Sequence, residues 1–179
     1  MKKRKLGIIG GSGLYNIEGF ENEKWKKVKT AWGDPSGRIL TAKLNNEEVC
    51  FVPRHGKGHR FNPTKINYRA NIDALKRLGV TDIVSVSAVG SLQEHLLPGT
   101  FVIIDQFIDR TFARKKTFFE DDIVAHVSMA KPTSPSLMKC CESALIKSKI
   151  NYQNGGTYLV MEGPQFSSLA ESKMYRSWK

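Results

Sequence analysis

The sequence contains few cysteines, and none of its apolar runs is long enough to span a bilayer. Its three cysteines are an odd number, and Cys140 and Cys141 are adjacent, so a bridge between them would be strained. We therefore expect reduced thiols in a reducing cytoplasm. The basic residues 1–5 are followed only by the short apolar stretch 6–9 before glycines, which predicts neither a secreted nor a membrane protein.

Signatures of metal, acyl-transfer and nucleic-acid sites are also lacking. The histidines and cysteines have no ligand spacing, and no nucleophile elbow is present. The net charge of +11 comes from lysines scattered along the chain, without helix-turn-helix, zinc-finger or aromatic RNA-binding spacing. We expect a lysine-rich surface that helps to attract anionic substrates, and no nucleic-acid partner.

The hydrophobic pattern predicts an α/β protein. With 40% hydrophobic and 25% charged residues, the chain has a globular composition, and its length fits one domain, 1–179. A helix starting at Asn62 and closed by Gly79, then a strand at 82–89, completes a β-α-β unit, whose ligand crevice lies at the carboxyl ends of the strands. Strands at 38–44 and 48–53 are predicted to form a hairpin, with Asn45 and Asn46 as its turn. Further predictions are strands at 6–9, 100–108 and 157–161, a helix from 135 to about 150 capped by Thr133 or Ser134, and irregular structure at 18–32 and 112–133.

A glycine-rich turn follows the first predicted strand. Gly10 to Leu14 would let backbone N–H groups approach an anion closely, and Ser12 adds a hydroxyl donor. The turn is not a dinucleotide fingerprint, because Asn16 occupies the third glycine position, and no P-loop lysine follows. A simple tight turn remains an equally open interpretation.

Two further loops follow predicted strands. Residues 53–60 carry two arginines, two histidines and a lysine among glycines, a composition that suits an oxyanion or phosphate. The alternative is a solvated basic surface. Residues 85–92 change abruptly from a β-branched run to small residues, hydroxyls and a glycine, which indicates a strand that delivers amides to a ligand, although its hydroxyls could be satisfied within the sheet.

The segment 162–168 places an aromatic, a carboxylate and two hydroxyls at another predicted strand end. Phe166 could stack on a planar ring. Ser168 with Glu171 matches a capping box, so this serine has a structural role of its own. Together with the anion loops, the pattern suits phosphate held beside a planar, sugar-bearing ligand.

Six motifs occur in order along the chain: Gly10 to Leu14, Arg54 to Gly56, Asn67 to Ile72, Ser87 to Leu92, Ile103 to Thr111 and Met161 to Ser168. Through these motifs the chain closely resembles the S-methyl-5'-thioadenosine phosphorylases of the purine nucleoside phosphorylase family. The resemblance implies a twisted mixed β-sheet flanked by helices, usually in a homotrimer. It also implies phosphorolysis of the N-glycosidic bond to adenine and 5-methylthioribose-1-phosphate, with phosphate as co-substrate and no other cofactor.

The resemblance also implies roles for individual residues. Phe166 would pack on the base or ribose, Ser167 occupies a position associated with substrate choice, and His126 matches a histidine lent across a subunit boundary to the methylthio pocket. Val89 and Gly90 would line the nucleoside side. The implied phosphate site comprises Ser12, Arg54, His55, Ser87 and Ala88.

The chain departs from the family pattern at its carboxyl end. Family members continue beyond the position matching Trp178, where this sequence has Lys179 in place of a glycine. The aspartates that bind and protonate the purine are expected in that further part, so the catalytic acid is unknown, and we expect a C-terminally truncated domain. A purine nucleoside or methylthioinosine phosphorylase, or a non-catalytic phosphate- or nucleoside-binding remnant, remain alternatives.

Overall fold

The computed structural model describes residues 4–15, 17–120 and 122–178, with the side chain of Ser12 also outside the described part. The chain divides into two compact units. Unit 1 comprises Met1–Ala88 and Ala113–Glu120, and unit 2 comprises Val89–Phe112 and Asp121–Lys179. The single domain expected over 1–179 stays a prediction.

Unit 1 contains a five-stranded mixed sheet. Its order is β2-β3-β4-β1-β5, in which β1 pairs in parallel with both β4 and β5, whereas β2, β3 and β4 form antiparallel pairs. The predicted β-α-β unit is confirmed, because the helix α1 connects β4 to β5. The elements are β1 (Leu6–Gly10), β2 (Glu21–Lys26), β3 (Ile39–Leu44), β4 (Glu47–Pro53), α1 (Tyr68–Arg77) and β5 (Asp82–Val86).

The hairpin β3–β4 matches its prediction. Asn45 and Asn46 have φ values of 49° and 64°, which are the left-handed values that a two-residue type I′ turn requires. Strand β2 was predicted to be irregular, and this prediction is wrong. All six of its residues are exposed and mostly charged, so pairing with β3 at the sheet edge, and not an apolar pattern, makes it a strand.

Helix α1 begins later than its predicted start at Asn62. The Asn62 side chain instead caps a short 3-10 turn, Pro63–Lys65. Ile66 then has extended backbone angles, and a second cap follows, in which Asn67 accepts a hydrogen bond from the Ala70 amide at 3.1 Å. Two capping asparagines, five residues apart, therefore produce two elements where a continuous pattern predicted one.

The core of unit 1 lies between α1 and the sheet. Ala74 and Leu75 of the helix pack against Ile39, Cys50 and Val52, and all five are fully buried. Cys50 is a free thiol within this core. The apolar face of α1 and the inner positions of the central strands therefore hold unit 1 together.

Residues Ala113–Glu120 form a returning segment, because the chain leaves unit 1 at Ala88 and comes back here. Its Phe118 ring packs edge-on against Trp32, with ring centroids 5.3 Å apart. Arg69 holds the segment from α1, since its guanidinium lies 4.5 Å over the Trp32 ring and its Nη1 contacts Glu120 at 2.9 Å and the Thr117 carbonyl at 3.0 Å. Arg69 therefore connects the returning segment to helix α1 and to the Trp32 ring.

Unit 2 contains two parallel strand pairs and two helices. Strand β6 pairs with β8, and β7 pairs with β9. The capping box predicted for Ser168 and Glu171 is present at the start of the last helix. The elements are β6 (Phe101–Ile103), β7 (Gln106–Asp109), α2 (Pro135–Lys147), β8 (Tyr152–Asn154), β9 (Thr157–Val160) and α3 (Leu169–Ser177).

The single strand predicted at 100–108 is divided into β6 and β7. The break occurs at Ile104 and Asp105, where the Asp105 carboxylate accepts a hydrogen bond from the Gly156 amide at 3.0 Å. The two halves therefore pair with different strands. Helix α2 has its predicted cap at Ser134, but it ends at Lys147 and not near 150, because Lys149 adopts a left-handed φ of 53°.

None of the described helices is both long enough and apolar enough to cross a membrane.

Candidate anion-binding site

The three parallel strands of unit 1 end in register. Gly10 of β1 lies opposite Pro53 of β4 on one side and Val86 of β5 on the other. The residues that follow each strand therefore meet at one edge of the sheet, where ligands of parallel sheets bind. This edge brings together the glycine turn, Arg54 and Ser87.

Arg54 connects the three strand ends. Its backbone amide donates to the Gly10 carbonyl at 3.1 Å, and its Nη1 donates to the Val86 carbonyl at 3.0 Å and to Ser87 Oγ at 2.6 Å. Its Nη2 lies 3.4 Å from the position that a Cβ on Gly11 would occupy. The half-buried guanidinium thus lies across the sheet edge, with Nη2 toward the glycine turn.

Ser87 is oriented as a donor by this contact. Because Oγ accepts from Arg54 Nη1, its own proton must point away from the guanidinium. Ser87 and Ala88, which follow β5, are both exposed residues. An arginine and a hydroxyl paired in this way suit an oxyanion better than a cation.

The turn after Arg54 requires glycine. Gly56 has a φ of +71°, and a Cβ there would lie 2.8 Å from the Ser36 carbonyl. Its amide donates to the Pro53 carbonyl at 2.7 Å, and its carbonyl accepts from the Tyr15 hydroxyl at 2.9 Å. The chain therefore reverses tightly next to the guanidinium.

His55 uses both ring nitrogens within the protein. Nδ1 lies 2.9 Å from the Phe61 carbonyl, which can only accept, so Nδ1 carries the proton. Nε2 then accepts from Arg54 Nε at 3.1 Å. Burial holds the pKa of the His55 imidazole below its usual value; the Phe61 hydrogen bond opposes this, and the charges of Arg54 and His59 add to the lowering. The ring is therefore neutral near pH 7 and orients the arginine.

Three of the predicted phosphate residues are joined by hydrogen bonds, namely Arg54, His55 and Ser87. Ala88 follows Ser87 directly. Ser12 lies in a 3-10 turn, Ser12–Leu14, directly after Gly11, but its side chain is outside the described part of the structure. Their common role in phosphate binding stays a prediction.

The residues predicted to contact the nucleoside belong to unit 2. Phe166 is 92% exposed and Val89 is 60% exposed, while Gly90 and His126 are also exposed. Ser167 is half-buried, and its Oγ lies 2.7 Å from Ser172 Oγ. Within the described residues of unit 2, neither a hydrogen bond nor a ring contact joins Phe166 to Val89 or His126.

Sequence reasoning missed Tyr15, and it placed His59 in the candidate loop without predicting the contact between His59 and His55. Tyr15 fixes the Gly56 carbonyl and packs edge-on against Phe51, with ring centroids 6.0 Å apart. His59 lies face to face with His55, with ring centroids 4.3 Å apart and planes 13° apart. The presence of a second histidine in the basic loop was a signal for His59, whereas Tyr15 has none, because its role depends on the folded path of the turn.

Among residues 4–15, 17–120 and 122–178, no group of three or more His, Cys, Asp or Glu side chains could hold a metal ion. At the sheet edge, Arg54 supplies positive charge, and the neutral ring of His55 and the Ser87 hydroxyl lie beside it. This donor set is suited to an anion.

Unit 1 thus combines a five-stranded mixed sheet, a helix packed on it and donors suited to an anion at the strand ends. A family described as the phosphorylase superfamily matches residues 5–179. The chain belongs to this superfamily, as its motifs predicted.

Relatives and solved structures agree with this assignment. The chain is 58% identical over 176 residues to an S-methyl-5'-thioadenosine phosphorylase from Cereibacter sphaeroides, covering 98% of this chain and 61% of that protein. It is 60% identical over 173 residues to a protein of the same name from Rhodospirillum rubrum, covering 97% of this chain and 59% of that protein. The chain thus spans about three fifths of the length of these curated relatives.

The fold is similar to crystal structures of the same kind of protein. A methylthioadenosine phosphorylase from an antarctic soil metagenomic library superimposes with a TM-score of 0.92 at 48% identity, covering 99% of this chain and 63% of that chain. Methylthioadenosine phosphorylase from Schistosoma mansoni in complex with adenine superimposes with a TM-score of 0.93 at 34% identity. The match covers 98% of this chain and 71% of that chain. The predicted fold class is therefore confirmed.

Proposed function

We propose that this protein catalyses phosphorolysis of the N-glycosidic bond of S-methyl-5'-thioadenosine, releasing adenine and forming 5-methylthioribose-1-phosphate. Inorganic phosphate is the co-substrate, and no further cofactor is needed. The observation that carries the proposal is the pairing of Arg54 with Ser87 across strand ends that are in register. Relatives that bear the name of this activity support the choice of substrate.

Phosphate is held by donors around the end of β1. Arg54 Nη2 supplies the positive charge, and the Ser87 hydroxyl donates because its oxygen already accepts from the same arginine. The Ala88 amide and the glycine turn with Ser12 complete the phosphate site. A hydrogen bond between a charged donor and an anion contributes about 1.5–3 kcal/mol, so Arg54 dominates phosphate affinity.

The bound phosphate assists departure of the base. The bond between the anomeric carbon and the purine nitrogen breaks, and its electron pair stays with the purine, which takes up a proton. A phosphate oxygen then forms the new bond to the anomeric carbon. Positive charge develops on the sugar during this exchange, and a fixed, negatively charged nucleophile on one face of the sugar stabilises it.

The nucleoside is held by unit 2 residues. Phe166 exposes almost its whole ring, which is available to pack on the base or ribose. Val89 and Gly90 line the nucleoside side, Ser167 influences substrate choice, and His126 reaches the methylthio group of a neighbouring subunit. The last role requires the homotrimer that the resemblance implies, and light scattering of the purified chain tests that assembly. We also propose a cytoplasmic location, which fractionation of the source cells tests.

Product analysis tests the activity. The purified chain is incubated with methylthioadenosine, adenosine, inosine or methylthioinosine, with and without phosphate, and the free base is quantified. We expect adenine release from methylthioadenosine that requires phosphate and is lost in Arg54→Ala. Base release that does not need phosphate, or a preference for the inosine compounds, contradicts the proposal. Phosphate binding that depends on Arg54 but gives no turnover supports the non-catalytic alternative.

A further inference from the structure

His59 of the basic loop stacks on a neighbouring histidine. Its imidazole lies face to face with that of His55, with centroids 4.3 Å apart and planes 13° apart. Its φ of 54° is in the left-handed region, which few residues other than glycine adopt. The His59 amide donates to the Gly56 carbonyl at 3.1 Å. The tight turn therefore fixes this ring against its neighbour.

The ring of His55 links the backbone to the guanidinium. Hydrogen bonds in the plane of the ring join Nδ1 to the Phe61 carbonyl and Nε2 to Arg54 Nε. Such bonds direct the two nitrogens, but they leave the ring able to tilt about the line between its partners. A second ring stacked on one face opposes this tilt.

We propose that His59 is a positioning residue of the phosphate site: by covering one face of His55, it keeps the Nε2 of that ring directed at Arg54 Nε. The inference deepens the proposed function and rests on the phosphate site described there. His59 acts through two intermediates, first His55 and then Arg54, without contacting the anion itself.

The exposure of the two histidines agrees with His59 acting through His55. His55 is 8% exposed, whereas His59 is exposed to solvent. The buried ring makes the hydrogen bonds, and the exposed ring shields it. Truncating His59 would open one face of His55 to water, which competes for Nε2 and loosens the guanidinium.

Three variants distinguish the effect of the His59 ring from the effects of the backbone conformation and of charge in the loop. His59→Asn removes the ring but keeps a residue that tolerates left-handed backbone. His59→Phe restores a flat ring without ring nitrogens. Arg60→Ala is the matched control, because it removes an exposed charge from the neighbouring position. Thermal unfolding of each variant establishes that it is folded.

Two measurements on these variants are independent of turnover. Nitrogen-15 NMR of the His55 ring reports whether Nδ1 alone carries the proton, and calorimetric titration with inorganic phosphate reports affinity. In His59→Asn, we expect the single-tautomer signature of His55 to be lost and phosphate affinity to fall about tenfold, the equivalent of one weakened charged hydrogen bond. His59→Phe restores both, and Arg60→Ala preserves the signature.

Other outcomes overturn the inference. An unchanged His55 signature in His59→Asn shows that the stack does not position the ring. Weak phosphate binding in a folded His59→Phe with a normal His55 signature shows that His59 contacts phosphate directly. If the unchanged chain binds no phosphate, the proposed phosphate site fails, and the NMR arm alone still decides whether His59 controls His55.

Discussion

Units 1 and 2 differ in where they place their apolar side chains. Among the described residues, every buried hydrophobic side chain except Tyr175 belongs to unit 1. Unit 2 exposes large apolar groups from its strands and loops, including Phe101 at 49% and Val124 at 80%. Unit 1 therefore has a core of its own, and this unit also carries the candidate anion site. The predicted nucleoside contacts lie in the unit without such a core.

The largest expected effect on stability comes from truncating a buried leucine of unit 1, in comparison with an exposed leucine of unit 2. Leu75→Ala removes a fully buried side chain from the core of unit 1, and we expect a loss of about 2–5 kcal/mol in the free energy of unfolding. Leu97→Ala truncates a side chain that is 65% exposed in unit 2, with an expected change within about 0.5 kcal/mol. Urea unfolding measures both, and similar losses would break the comparison.

The second prediction concerns ligand binding by unit 1. Arg54→Ala removes the guanidinium that joins Ser87 to the strand ends, so we expect phosphate affinity to fall about 10- to 100-fold. Arg60→Ala, in the same loop, removes an exposed charge that lies 5.7 Å over the Phe61 ring, and we expect less than about a threefold change. Stabilisation of the chain by phosphate in a thermal melt measures both. Equal losses of phosphate affinity in the two variants would indicate that the basic loop attracts phosphate through its overall charge and not through Arg54.

Capping in unit 2 should have a measurable effect despite the sparse core. Ser168→Ala removes the side chain that accepts from the Glu171 amide at 3.2 Å, with an expected cost of about 1 kcal/mol. Ser134→Ala removes a longer contact of 3.5 Å to the Leu137 amide and should cost less. Circular dichroism during urea unfolding reports the loss of helix. A larger cost for Ser134 would contradict the ranking.

The buried histidine of unit 1 should make the stability of the chain depend on pH below about 6.5. Since burial lowers the pKa of His55, the folded state binds fewer protons than the unfolded chain below the usual value of about 6.5. Stability is therefore full above that pH and declines as the pH falls through the lower folded-state pKa. His55→Gln should remove this slope, and His126→Gln, at an exposed position, should retain it. Unfolding at several pH values measures the slopes.

The smallest effect on stability is expected at the most exposed aromatic ring. Phe166→Ala truncates a side chain that is 92% exposed, so the free energy of unfolding should change by less than about 0.5 kcal/mol. The same change should weaken nucleoside binding, because the ring is proposed to pack on the ligand. Fluorescence titration with methylthioadenosine measures that loss. A clear destabilisation would show that Phe166 belongs to the packing of unit 2.

The predictable elements were those with a strong local pattern. The hairpin at Asn45 and Asn46 and the caps at Ser134 and Ser168 follow from side-chain chemistry within a few residues. Strand β2 and the division of 100–108 could not be predicted in this way. The former depends on a partner strand, and the latter on a hydrogen bond between Asp105 and a glycine 51 positions away.

The candidate site was predictable to the level of its loops. Strands in a parallel sheet end at one edge, so loops 10–14, 53–60 and 85–92 were expected to meet there. The atoms that pair could not be predicted. The Arg54 contacts to Val86 and Ser87, and the stack of His59 on His55, depend on rotamers and on a turn with three left-handed residues, Gly56, Gly58 and His59.

The returning segment, Ala113–Glu120, has a consequence for the order of folding. Its ties to unit 1 join residues far apart along the chain, such as Trp32 with Phe118 and Arg69 with Glu120. A chain emerging from the ribosome can form the sheet of unit 1 once residue 88 is available, but it cannot complete these contacts until residue 120 has been synthesised. During that interval, Trp32 and the Arg69 guanidinium are without the contacts that residues 117–120 later provide.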